Sequence, residues 1–93
     1  MKAILITYSA KDLSKSESSK LSKALIGYID KSNKARYTYK REGLIKPENG
    51  IIISKSTFIV KMEAAKELIS FIQSKKGKVT YWEIDISKKY FKK

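Results

Sequence analysis

An α+β fold is predicted by three observations. Two stretches repeat apolar residues at helical spacing, several others alternate at period two, and their order along the chain is β-α-β-β-α-β. The 93 residues suffice for one small domain and no more. At 42% apolar, the chain has enough hydrophobic residues to fold despite its charge.

Residues 2–9 alternate and are rich in aliphatics, so they read as a strand. Ser14-Lys15-Ser16-Glu17 is a capping box, with Ser at the cap and Glu three later. Leu21, Ala24, Leu25, Tyr28 and Ile29 follow as one apolar stripe, which predicts a helix over 15–31. Residues 35–41 alternate at period two and form the clearest half-exposed strand of the chain.

Gly43, Pro47 and Asn49-Gly50 mark a loop. Residues 51–53 and 57–60 are two apolar runs, forming either a small hairpin or one bent strand. A second helix over 61–75 buries Ala65, Leu68, Ile69 and Ile72, and Gly77 stands where a capping glycine belongs. Residues 78–86 are the last strand, and a basic tail covers 87–93.

Right-handed crossovers make strands one and two parallel, and strands three and four likewise. The expectation is a ferredoxin-like β-α-β-β-α-β sandwich. Two helices lie on one face of a four-stranded, mainly antiparallel sheet, or a five-stranded one if 51–60 contributes a hairpin. Residues 1–86 form this single α+β domain, and 87–93 the tail. The architecture resembles that of RNA-recognition domains, but their basic-Gly-aromatic-Gly/Ala-aromatic strand signature is missing. Arg36-Tyr37-Thr38-Tyr39-Lys40 has alternate aromatics without the glycines, so no base-reading roles carry across.

Charge supplies the main functional signal. Twenty-one Lys and Arg against nine Asp and Glu give +12. Residues 31–46 carry five of the excess charges, 75–78 three and 87–93 four, so these segments account for the whole imbalance. A positive excess gathered in patches suits a polyanion. Solubility or a thermophile-like composition is the plain alternative. Topology puts Lys31, Lys34 and Arg36 at the same end of the sheet as Lys88, Lys89, Lys92 and Lys93. It puts the 75–78 turn at the opposite end, beside the 43–50 loop.

The face of the sheet away from the helices has no cover. Assigning Trp82, Ile84 and Ile86 to the helix side leaves Tyr81 to join Tyr37 or Tyr39 on that open face. Rings rimmed by cations are what a single-stranded nucleic acid needs for base stacking and phosphate pairing. Tyrosines in strands serve packing equally well, and an open apolar face suits a homodimer.

Cysteine and histidine are absent, which excludes zinc sites of the Cys/His type, thiol nucleophiles and histidine catalysis. No Walker or GxGxxG pattern is present, the acids are scattered, and Glu83 and Asp85 are expected to form salt bridges rather than a metal site. No run is long enough to span a membrane.

The expectation is a cytoplasmic, non-catalytic nucleic-acid-binding protein without cofactor, metal or small-molecule substrate. It would favour RNA or single strands over duplex DNA. Lys31, Lys34, Arg36, Lys40 and Arg41 would neutralise phosphates, helped by Lys88, Lys89, Lys92 and Lys93, and Tyr37 and Tyr39 would stack on bases. The alternatives are a structural module that homodimerises or docks through the open face and, third, a small nuclease.

Overall fold

The computed structural model describes residues 1–32 and 37–91. Its elements are β1 (Lys2–Ser9), α1 (Lys15–Ile26), β2 (Tyr28–Ser32), β3 (Tyr37–Arg41), β4 (Gly50–Ser54), β5 (Thr57–Lys61), α2 (Met62–Ser74) and β6 (Lys78–Asp85), then a 3-10 turn at Lys88–Tyr90. The fold is α+β, with two helices and an antiparallel four-stranded sheet in the order β4-β5-β1-β6. Among the described residues, strands β2 and β3 pair only with each other.

This pairing corrects the expectation for residues 35–41. The second strand of the main sheet is β4, and the strand read at 35–41 belongs to a separate two-stranded ribbon. Period two reports that one face of a strand differs from the other, and says nothing of which strand lies beside it. Residues 51–60 form a hairpin, β4 antiparallel to β5, with a register irregularity between Ile52 and Ser54. The antiparallel pairings leave β4 running parallel to β1, and β5 parallel to β6.

Helix α1 begins as its sequence requires. Ser14 Oγ accepts from the Glu17 amide at 3.1 Å, and the Ser14 amide donates to Glu17 Oε1 at 3.0 Å. The helix ends five residues earlier than its apolar stripe suggests, because Gly27 takes φ 82°, ψ −178°, a backbone state essentially confined to glycine. Tyr28 and Ile29 fall on helical spacing but start β2.

At the other helix end the cap is shifted by one residue. Lys76 adopts the left-handed conformation, φ 67°, and donates to the Gln73 carbonyl, while the Gly77 amide donates to Ile72. Gly77 serves close packing instead, because a Cβ there would lie 2.6 Å from Ile72 Cγ2.

The core lies between sheet and helices. Ile4, Ile6 and Tyr8 of β1 and Phe58 and Val60 of β5 meet Leu21 and Leu25 of α1, Ile45, and Ala65, Leu68 and Ile72 of α2. Fully burying one such Leu, Ile or Phe contributes about 1.5–3 kcal/mol. The Tyr8 and Phe58 rings stack at 6.0 Å, and burial raises the Tyr8 hydroxyl above the ordinary phenol range.

Register fixes the faces of β6. Tyr8 pairs with Val79 and Ile6 with Tyr81, so Val79 and Tyr81 share the helix side, while Trp82 pairs with Leu5 on the open side. The expected assignment of Trp82 and Ile84 to the helix side, with Tyr81 on the open face, is reversed. β6 is an edge strand whose side chains stay largely exposed on both faces, so its more apolar set does not report the core. Tyr81 is 54% and Trp82 51% exposed.

Candidate nucleic-acid interface

The β2–β3 ribbon leaves the body at Gly27 and returns at Gly43. A Cβ at Gly43 would sit 2.3 Å from the Leu25 carbonyl oxygen and 2.5 Å from the Gly27 nitrogen. Only paired glycines let the outgoing and returning chains cross this closely at the helix end. Past the crossing, the Leu44 and Ile45 amides donate to the Ala24 and Leu25 carbonyls, both at 2.9 Å, and tie the chain back to α1. Among the described residues, no other element packs extensively on β2 or β3. The ribbon is therefore an arm, in a molecule 45 × 33 × 18 Å in extent.

Three described cations of the first basic segment fall on this arm. Lys31 lies in β2, opposite Thr38, and Lys40 and Arg41 lie in β3, opposite Ile29 and Tyr28. Tyr37 and Tyr39 occupy alternate positions of β3, opposite Ser32 and Asp30. They are not part of the four-stranded sheet, so the expected joint platform of Tyr81 with Tyr37 or Tyr39 does not exist. Lys40 and Arg41 are exposed at the arm's base. Lys34 and Arg36, like Lys92 and Lys93, lie outside the described residues.

The described part of the basic tail folds back to the same end of the molecule. The Ile86 amide extends the β1–β6 ladder by donating to the Met1 carbonyl at 2.9 Å, and Ser87 caps the turn that holds Lys88 and Lys89. Phe91 is only 7% exposed, with the Lys61 ammonium 5.6 Å over its ring. Tyr90 stays 59% exposed and lines one surface notch with Lys40, Lys46, Ile51 and Ile52. Arm base and tail thus meet around that notch.

The 75–78 turn lies at the opposite end, as expected, but not beside the 43–50 loop. Lys78 pairs with Ser9 across the sheet and its ammonium reaches Asp12 at 3.1 Å. The loop is at the tail's end, where the Lys61 amide donates to Asn49. Because the arm runs out and back, the chain returns to the end it left, and the loop stays there.

The open face of the sheet is ordered in rows across the strands. Ile51, Ile59, Leu5 and Trp82 are successive cross-strand partners and make an apolar row. Ser54, Thr57, Thr7 and Thr80 make a hydroxyl row beside it, with Thr7 and Thr57 hydroxyls 3.2 Å apart. Trp82 is the one aromatic residue of the apolar row.

Glu83 and Asp85 each face a cation. Glu83 meets Lys2 at 3.0 Å, and Asp85 approaches the chain's amino terminus at 3.9 Å. The bond and charge of Glu83 raise the Lys2 ammonium above its ordinary value. Among the described residues no three acids, histidines or cysteines gather into a metal site, and no helix is long and apolar enough to cross a membrane.

Sequence reasoning missed Tyr28, Lys46, Trp82 and Tyr90 as exposed members of these surfaces. Gly27 was the signal for Tyr28, since a glycine there can stop the helix and turn the next residue outward. Nothing in the sequence signals that Tyr90 and Lys46 line one notch. No protein-family model, curated protein or solved structure matches this chain.

Proposed function

We propose that this protein binds nucleic acid without catalysis, gripping the phosphate chain with the β2–β3 arm and the neighbouring Lys88–Tyr90 turn. The observation that carries the reading is the arm itself, a ribbon that holds Lys31, Lys40 and Arg41 and contributes little to the body's packing. Five-residue strands reach about 17 Å at the usual rise, a length over which several phosphates can be met. Lys31, Lys34, Arg36, Lys40 and Arg41 supply the cations, Lys88, Lys89, Lys92 and Lys93 add to them, and Tyr37 and Tyr39 stack on bases of RNA or single strands. In this reading the protein is cytoplasmic. The four-stranded body is ferredoxin-like, a reading supported by the order β4-β5-β1-β6 once the arm is regarded as an insertion between α1 and β4.

Fluorescence anisotropy with labelled single-stranded RNA, single-stranded DNA and duplex DNA over a salt series tests the proposal. The triple variant Arg36→Ala, Lys40→Ala, Arg41→Ala is expected to weaken binding at every sequence. It should also flatten the slope of log affinity against log salt by about 2–3, close to one unit for each phosphate no longer neutralised. Lys75→Ala with Lys76→Ala, at the far end, should leave both unchanged. Unaltered binding by the arm variant refutes the assignment.

A second reading, an interaction module that docks through the open face, is favoured by the row Ile51, Ile59, Leu5 and Trp82, which is apolar and only partly covered. A protein that ignores all three nucleic acids at low salt favours it.

A further inference from the structure

The two edges of the main sheet are built differently. The β4 edge has five residues, starts at a glycine and loses register between Ile52 and Ser54. Shortness and irregularity are two of the devices that keep an edge from pairing with another chain, beside charged side chains. The β6 edge has neither of the two, and carries charge only at Lys78, Glu83 and Asp85. It is eight residues long, Lys78-Val79-Thr80-Tyr81-Trp82-Glu83-Ile84-Asp85, without proline, glycine or bulge, and it keeps perfect register with β1 throughout. Its central residues Thr80, Tyr81, Trp82 and Glu83 are all exposed, and among the described residues no other strand pairs with this edge.

We infer that β6 pairs antiparallel with β6 of a second copy of the chain, about a two-fold axis at Trp82, to give a continuous eight-stranded sheet. The register follows from symmetry and charge. A two-fold axis perpendicular to the sheet keeps side chains on their own face, so it must pass between a residue and its own copy.

Centring on Glu83 opposes two carboxylates, which destabilises the pair. Centring on Thr80 shortens the overlap to residues 78–82. Centring on Tyr81 sets Trp82 against Thr80 and ends the apolar row. Centring on Trp82 pairs Val79 with Asp85, Thr80 with Ile84 and Tyr81 with Glu83 of the second copy, and opposes no like charges. It also joins the rows Ile51, Ile59, Leu5, Trp82 of both copies into one row of eight residues, with an aromatic pair at its centre.

The inference rests on neither functional reading above. Its salt dependence also has the opposite sign to that of nucleic-acid binding. Each copy carries +12, so salt screens the repulsion between copies and strengthens the dimer, while it weakens attachment to phosphates.

Sedimentation velocity on the full chain is expected to show mass doubling with concentration, more completely at high salt. Because the chain has no cysteine, single introduced cysteines report the register. Directly opposed residues of antiparallel strands have Cα atoms about 4.5–5.5 Å apart, within disulfide range. Trp82→Cys should oxidise to a covalent dimer, and Ile53→Cys on the other edge and Ile59→Cys on the open face should remain monomeric. Tyr81→Cys mixed with Glu83→Cys, which leaves Trp82 in place, should give the heterodimer while neither variant links to itself. A protein monomeric at every concentration and salt, or cross-linking at Ile59 or Ile53 in place of Trp82, overturns the inference.

Discussion

The four-stranded body and the β2–β3 arm are made of similar residue types and held by different forces. β1 and β3 both alternate, and both contain tyrosine. In β1 the alternate residues Ile4, Ile6 and Tyr8 are sealed between sheet and helices. In the arm, Tyr28 is 42% and Ile29 54% exposed, and among the described residues the two strands pair with no other strand. A lone two-stranded ribbon is marginal in water, so little but backbone pairing and the glycine crossing at its base defines the arm. What separates the two regions is the supply of a second layer. A strand becomes core when a helix lies over it, and otherwise keeps its side chains for whatever binds it.

The sharpest way to break the body is at Phe58, which is 1% exposed and stacks on Tyr8. Phe58→Ala is expected to cost about 3–5 kcal/mol, a large part of the stability of a domain this size. Urea unfolding followed by circular dichroism reads it. Ile29→Ala in the arm should leave the stability within about 0.5 kcal/mol of the parent, as for surface positions generally. Equal costs at the two positions would erase the distinction drawn between the regions.

The same contrast explains how much of the molecule is legible in the sequence. Ser14 and Glu17 announce the start of α1 because a capping box is a local code, complete within four residues. Ala65, Leu68 and Ile72 declare their face because the whole of α2 follows one period. Residues 35–41 declare a strand but not its neighbour, since pairing is a long-range choice. Trp82 and Ile84 mislead because an edge strand's apolar residues need not face the core. For the candidate interface, the clustering of cations is plain in the sequence. The gathering of Lys40, Lys46 and Tyr90 at one notch depends on the arm's return path and the tail's fold-back, and neither is encoded locally.

A smaller effect tests the body at its margin. Ser14→Ala removes the cap of α1, at a cost of about 1 kcal/mol. The amide of Ser14 and then its side chain hold the Glu17 carboxyl below the ordinary glutamate range. A carboxyl lowered in the folded state favours folding above its unfolded value, and that contribution disappears as the pH falls through the folded value. Thermal unfolding of the parent between neutral and acid pH should therefore lose stability on the acid side partly through Glu17. In Ser14→Ala that part of the slope should shrink, while the nucleic-acid binding proposed for the arm, remote from this helix start, should be unchanged.

A small effect on stability goes with the largest change in sequence. The arm's two ends meet where a Cβ on Gly43 would stand 2.5 Å from the Gly27 nitrogen, so the chain can be closed there with little rearrangement. Deleting residues 28–42 and joining Gly27 to Gly43 removes 15 residues, among them Lys31, Lys34, Arg36, Lys40 and Arg41. None of the described buried core residues is lost, and the amides of Leu44 and Ile45 keep their partners on α1. Shortening a loop changes the entropy of its closure only slowly with length, so the body should unfold cooperatively within about 1 kcal/mol of the parent. Nucleic-acid affinity should collapse in the same variant. Loss of cooperative unfolding would mean that the arm is part of the core after all, and retained affinity would move the phosphate contacts to the tail and the open face.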